Sequence, residues 1–170
     1  PVFASPVINY QAINAGEYSS PQLIDLDRDG RTDLIVGKRD GTLSYYRNTG
    51  TRESPVFTLI TEYLGAVDVT DNDLSLDGFS TPCFFEVGGG YRLFAGSEFG
   101  HIFYYKDIEE NLTGTFTLVD DHYLYIDEGS RTGMAVWNFN NDAFQDLIIG
   151  NYSGGLASYK GVTPPELGLD

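Results

Sequence analysis

The chain has 170 residues, 41% of them hydrophobic, and a formal net charge of −15 from 25 acidic and 10 basic side chains. The length suits about one domain, the apolar content supports a core and argues against disorder, and the acidity speaks against nucleic acid or an anionic lipid surface as partner. No apolar run approaches the roughly 18 residues of a membrane helix, and the single cysteine, Cys83, leaves no intrachain disulfide to form.

Tyr, Phe and Gly are abundant at 12, 11 and 20 residues, a composition that favours strands and tight turns. No segment carries an amphipathic helical period with caps at both ends. Pro1-Val2-Phe3 reads as a strand at the outset, with neither an initiator Met nor a signal peptide before it. A fragment or a processed mature form is therefore expected.

From there the chain repeats itself. A first copy runs Ser20-Pro21-Gln22-Leu23-Ile24-Asp25-Leu26, a loop, Asp33-Leu34-Ile35-Val36-Gly37, a turn at Asp40-Gly41, and Leu43-Ser44-Tyr45-Tyr46-Arg47-Asn48. A second runs Thr81-Pro82-Cys83-Phe84-Phe85-Glu86-Val87, three glycines, Tyr91-Arg92-Leu93-Phe94-Ala95-Gly96, and Ile102-Phe103-Tyr104-Tyr105-Lys106. A third runs Gly133-Met134-Ala135-Val136-Trp137-Asn138-Phe139, a loop, Asp146-Leu147-Ile148-Ile149-Gly150, and Leu156-Ala157-Ser158-Tyr159-Lys160. Gly37, Gly96 and Gly150 fall at matching places, where a turn with positive φ is expected. Val56-Phe57-Thr58-Leu59-Ile60 and Thr115-Phe116-Thr117-Leu118-Val119 supply a fourth strand to the first two copies.

The expected fold is all-β: about three blades of four antiparallel strands each, as in a β-propeller. Residues 1–18 are read as the outer strand of a preceding or closing blade. Blades occupy residues 19–69, 70–126 and 127–162, and 163–170 with Pro164-Pro165 reads as a linker. Three blades are too few to close a ring, so either more blades lie upstream or chains associate, the former being favoured.

The loop Asp25-Leu26-Asp27-Arg28-Asp29-Gly30-Arg31-Thr32-Asp33 places carboxylates at positions 1, 3, 5 and 9 and Gly at 6. Calcium takes six to eight oxygen ligands. Alternating acids on a tight turn supply them, with the Arg31 carbonyl as a further donor, and the carboxylates would repel one another without a cation. The stretch resembles half of an EF-hand loop, but Val36 stands where that loop has its bidentate Glu, and strands flank it. The alternative is a solvated acidic turn. In the third copy Asn138, Asn140, Asp142 and Asp146 hold the same positions with fewer charges, which predicts weaker binding or a turn held by hydrogen bonds. The second copy has only Glu86-Val87-Gly88-Gly89-Gly90, and no metal is expected there. A further acidic run, Asp68-Val69-Thr70-Asp71-Asn72-Asp73, is either a solvated insertion or a second ligand loop.

The pattern Asp25-x-Asp27-x-Asp29-Gly30-x-x-Asp33-Leu34-Ile35-Val36-Gly37, with Pro21 before it and Asp40-Gly41-Thr42-Leu43 and Tyr45-Tyr46-Arg47-Asn48-Thr49-Gly50 after it, resembles the FG-GAP/VCBS repeat. Repeats of that kind build the propeller of integrin α subunits and of bacterial secreted and surface proteins. The resemblance implies calcium held by Asp25, Asp27, Asp29, the Arg31 backbone and Asp33, and in the third copy by Asn138, Asn140, Asp142, the Phe144 backbone and Asp146. It also implies a secreted or cell-surface module that binds a protein or glycan ligand on a propeller face, or one that docks within a larger assembly. Tyr45, Tyr104 and Tyr159 are read as sharing one strand position, either as blade packing or as ligand contacts. His101 and His122, the only histidines, lie in no catalytic motif, so no enzymatic activity is expected.

Overall fold

The computed structural model describes residues 5–162. The strand expected at Pro1-Val2-Phe3 and the linker at 163–170 lie outside the described residues. Within them the fold is all-β. Eleven strands make three antiparallel sheets with short 3-10 turns between them. The first sheet holds β1 (Ser20–Ile24), β2 (Asp33–Gly37), β3 (Leu43–Asn48) and β4 (Phe57–Thr61) in chain order. The second repeats this with β5 (Thr81–Val87), β6 (Gly90–Gly96), β7 (Ile102–Lys106) and β8 (Thr117–Asp120). The third has three strands, β9 (Gly133–Trp137), β10 (Asp146–Gly150) and β11 (Leu156–Tyr159).

The sheets pack face to face in series. Ile35, Leu43 and Tyr45 of the first sheet form one buried cluster with Phe84, Leu93, Ala95 and Tyr105 of the second. The opposite face of the second sheet, through Cys83, Phe94 and Ile102, forms another with Leu147 and Ile149 of the third. Strands covered on both faces read as unbroken apolar runs rather than as alternation, which is why β2 and β6 are buried almost throughout. In β10 only Leu147 and Ile149 are buried while Ile148 is exposed, so the last sheet is covered on one face.

Side chains and amides stitch the sheets together. Gln22 of β1 donates from Nε2 to the Phe84 carbonyl at 2.9 Å and accepts from the Phe84 amide at 2.7 Å. At one rim the Phe79 amide donates to the Arg39 carbonyl at 3.0 Å, and in the next sheet the Arg131 amide donates to the Glu98 carbonyl at 2.9 Å.

A motif absent from the sequence reading recurs three times. The 3-10 turns Tyr10–Ala12, Leu64–Ala66 and Tyr123–Tyr125 each lead into an apolar residue, Ile13, Val67 or Ile126, whose amide closes back on the first carbonyl of the turn. Each passes through left-handed backbone at its second and third residues.

Two expectations are corrected. Gly37, Gly96 and Gly150 have no positive φ. Gly37 and Gly96 are needed instead because the next sheet comes too close for a side chain. A Cβ would stand 2.1 Å from the Ser80 carbonyl oxygen at Gly37 and 2.3 Å from that of Thr132 at Gly96. The tyrosines also realign. Leu34, Leu93 and Leu147 pair with Tyr46, Tyr105 and Tyr159, so Tyr159 matches Tyr46 and Tyr105, whereas Ser158 matches Tyr45 and Tyr104. Tyr45 is buried in the core and presents no surface to a ligand.

Candidate metal centre

Ile24 and Asp33 close the β1–β2 hairpin as partners, so the acidic loop hangs from the end of two paired strands. Left-handed residues at Arg28 and Gly30 turn it. Each of its first three acids spends one oxygen on a loop amide. Asp25 Oδ2 accepts from Gly30 at 2.9 Å, Asp27 Oδ1 from Asp29 at 3.1 Å, and Asp29 Oδ1 from Arg31 at 2.9 Å. These bonds fix the carboxylates and aim the other oxygen of each toward a common centre. Asp25, Asp27 and Asp29 each bring a ligand atom within 4.8 Å of the others.

Asp25 Oδ1 is buried and has no hydrogen-bond partner. A buried oxygen in that condition costs about 1–3 kcal/mol, and a bound cation or an ordered water would satisfy it. Its two neighbours lean on arginine. Arg47 Nε lies 2.7 Å from Asp27 Oδ2, an ion pair off the hydrogen-bond axis, and Arg47 Nη2 lies 3.1 Å from Asp29 Oδ2, which Arg31 also contacts. Partial desolvation works to raise the Asp29 pKa, but the Arg31 amide and the two guanidiniums outweigh it and hold the group below the usual carboxylate range. Asp29 is thus held in its ionised form, the state in which a carboxylate binds a hard cation.

Asp33 behaves differently. It is fully buried. Oδ1 accepts from the Asn48 amide at 2.8 Å, and Oδ2 accepts from the Tyr45 hydroxyl at 2.9 Å and the Leu26 amide at 3.2 Å. Burial raises its pKa, against the opposing pull of the Asn48 amide and the Tyr45 hydroxyl. It ties the loop to β3 and stands outside the trio. Arg31 sends Nε to the Asn48 carbonyl at 2.9 Å, so its side chain braces the loop from the same side.

The second sheet anchors the loop from without. Arg28 donates to the Gly89 carbonyl and to Glu109, both at 3.1 Å, and stacks 4.2 Å over the Tyr91 ring. The Tyr91 hydroxyl donates to the Asp25 carbonyl at 3.0 Å. Neither residue carried a sequence signal, because the contacts span 61 and 66 positions of chain. The hairpin they meet turns through Gly88 and Gly89, both left-handed, as a tight two-residue turn requires, and offers no ligand set.

In the third sheet the equivalent loop satisfies itself. Asn138 Nδ2 donates to the Asp142 carbonyl. Asn140 Nδ2 donates to Asp142 Oδ2 at 2.8 Å and to Asp146 Oδ1 at 3.4 Å, and Asn140 Oδ1 accepts from the Asp142 amide at 2.9 Å. The Phe144 amide donates to Asp142 Oδ1 at 2.7 Å. Amide protons fill the space that a cation would neutralise. Asn138 Oδ1 nonetheless repeats the orphan at Asp25. Asp146 repeats Asp33: it is buried and accepts from the Phe139 amide at 3.1 Å and the Gly161 amide at 3.0 Å.

The run around Asp68 packs along the first sheet through a bridge between Thr42 and Asp68. Its Asp71 and Asp73 line an open cleft of about 280 Å3 with His101, His122 and Asp121. The two imidazoles lie 3.8 Å apart between ring centres, and His122 Nδ1 sits 3.0 Å from Asp121. Sequence distance hid this pairing.

Comparison with protein-family models, with curated proteins and with solved structures finds no match.

Proposed function

We propose that this chain is a calcium-braced β-propeller segment of the FG-GAP/VCBS kind, working outside the cell to bind a protein or glycan ligand. The observation that carries the reading is Asp25 Oδ1, buried without a partner where Asp27 and Asp29 converge. Support for the propeller comes from three sheets stacked in series with the same turn and the same rim bond repeated between them. The donor set is all oxygen, which suits calcium or another hard cation over a thiolate- or imidazole-seeking metal. The ion would brace a loop and cancel repulsion between carboxylates, worth roughly 1–4 kcal/mol per close pair. Millimolar calcium outside cells would fill even a weak site.

Thermal melting tests the metal. Calcium should raise the melting temperature, chelator should lower it, and Asp27→Ala should abolish most of the difference. An unchanged melting curve and no bound metal by elemental analysis would defeat the reading. Screening the calcium-loaded chain against glycans and extracellular proteins then addresses the ligand.

A further inference from the structure

We propose that His101 and His122 form the nitrogen half of a binding site for zinc or a similar divalent transition ion, apart from the acidic loop, with Asp121 orienting His122 and a carboxylate of Asp71 or Asp73 completing the ligand set. All five side chains line one open cleft, between the connection that follows the first sheet and the rim of the second. The chain's two histidines meet there, with ring centres 3.8 Å apart. His122 Nδ1 sits 3.0 Å from Asp121 Oδ1. The hydrogen bond from His122 holds the Asp121 carboxyl below the usual carboxylate range. An ionised carboxylate can only accept, so Nδ1 carries the proton and the Nε2 lone pair is left to bind an ion. A carboxylate behind the ring is the arrangement that orients a metal-binding histidine.

The repeat shows that this pair is no demand of the fold. Thr42 and His101 each precede the third strand of their sheet, which opens with Leu43 or Ile102. Tyr63 and His122 each precede a 3-10 turn, both with φ of −134°. The first sheet therefore fills the same two places with a threonine and a tyrosine. It also supplies a cation of its own. Lys38 Nζ lies 5.3 Å over the Tyr63 ring, 3.1 Å from the Glu62 carbonyl oxygen and 3.4 Å from Asp40 Oδ2. The residue that follows Gly96, as Lys38 follows Gly37, is Ser97, whose hydroxyl donates to the His101 carbonyl at 3.0 Å. No Lys or Arg lines the cleft. The second sheet keeps an acid at the place of Glu62, as Asp121, gives up the ammonium and gains two imidazoles. That exchange replaces a built-in cation with a means of binding one.

Imidazole nitrogen suits zinc, copper or nickel, whereas calcium takes oxygen. Zinc binds histidine at about 2.0–2.1 Å. The His122 side chain is 45% exposed, so its ring can reach that distance by turning about its own side-chain bonds. Asp71 is fixed toward its neighbours by the Asp73 amide, which donates to Oδ1 at 3.1 Å. An ion held from both sides would tie the connection between the first two sheets to the rim of the second. The site shares no residue with the calcium loop, and either reading can fail without the other.

Calorimetric titration of the full chain with zinc, in millimolar calcium, tests it. A single zinc ion should bind each chain, and Asp27→Ala should leave that affinity unchanged. His101→Ala and His122→Ala should each weaken binding by about a hundredfold or more, and the paired Asp71→Asn and Asp73→Asn change by about tenfold. Asp121→Asn should weaken it by about 10–100-fold and shift the His122 tautomer equilibrium read from its ring nitrogens by NMR. Far-UV circular dichroism should not change in any of them. In the unaltered chain the signals of both imidazoles should move with zinc and neither with calcium. No zinc bound, imidazole signals that stay in place, or an affinity indifferent to either histidine or to the asparagine pair overturns the proposal. So does zinc binding that is lost with Asp27→Ala, which would put the ion in the acidic loop.

Discussion

Removing the Asp33 carboxylate should unfold more of the protein's stability than removing any of the converging acids. Asp33 is fully buried and accepts three hydrogen bonds, from Asn48 at 2.8 Å, Tyr45 at 2.9 Å and Leu26 at 3.2 Å. Bonds to a charged acceptor contribute about 1.5–3 kcal/mol each, and each donor left buried without a partner costs about 1–3 kcal/mol. The desolvation that raises the Asp33 pKa offsets part of this, and water entering the vacated space offsets more. Asp33→Ala should therefore cost about 3–5 kcal/mol, a large share of a typical total of about 5–15 kcal/mol. In a chain of 170 residues that lowers the melting temperature by roughly 10 °C. Urea unfolding followed by circular dichroism measures it, in calcium and again in chelator. The loss should persist in chelator, because the amides of Leu26 and Asn48 need the carboxylate whether or not an ion is bound. Asp27→Ala should lose stability only where calcium is present. Tyr45→Phe, which deletes one of the three donors, should cost about 1 kcal/mol. A chelator-phase loss below about 1 kcal/mol for Asp33→Ala would refute the assignment of Asp33 as the strut between loop and β3.

Gly37→Val and Gly96→Val should each cost about 2–3 kcal/mol by forcing a Cβ into the next sheet, whereas Gly150→Val, with only Leu156 near its Cβ at 3.4 Å, should leave the urea midpoint nearly unchanged. Alkaline pH should weaken the fold. Burial pushes the Cys83 thiol from 9.0 to about 11 and the Tyr105 phenol from 10.0 to about 12. The unfolded chain releases these protons first, so their stabilisation is whole below about pH 9 and is lost as pH climbs through 11 and 12, on the order of 2 kcal/mol per group. Urea midpoints at pH 8 and pH 11 test the sign, and Cys83→Ala should flatten the early part of the decline. The same burial makes Cys83 inert to a thiol reagent at pH 8 until denaturant is added, which absorbance of the released thiol adduct follows. Arg28→Ala cuts the tie to Gly89 and Glu109 and should raise hydrogen exchange in residues 25–32 with little change in global stability.

Strands were legible in the sequence because burial on both faces writes itself as runs such as Leu34-Ile35-Val36, and the fourth strand of the first two sheets followed from the same spacing. The acidic loop was legible as a set, but its division of labour was not. Asp33 has the same side chain as Asp25, Asp27 and Asp29, and spacing alone groups all four. What separates Asp33 is that it pairs with Ile24 as the first residue of β2, so the pleat aims it at β3, while the other three ride on loop backbone that turns on itself. The tyrosine alignment failed for a related reason. Adjacent tyrosines in β3 and β7 offer two registers, and only the pairing of Leu147 with Tyr159 chooses between them.

Glycine shows where such reading stops. Gly30 and Gly37 are both small residues next to a strand end, and composition treats them alike. Gly30 is there for its left-handed φ of 86°, a property of its own backbone. Gly37 is there for the Ser80 carbonyl, a property of a neighbour 43 positions along the chain. A local rule finds the first kind and cannot find the second, since the constraint arises only once sheets have stacked. Gly150 differs from both: among the described residues a Cβ there would meet only Leu156 of its own sheet, at 3.4 Å, with no carbonyl of a further sheet against it. Matching place in the repeat therefore does not fix the reason for a glycine; the packing of the next sheet does, at Gly37 and Gly96.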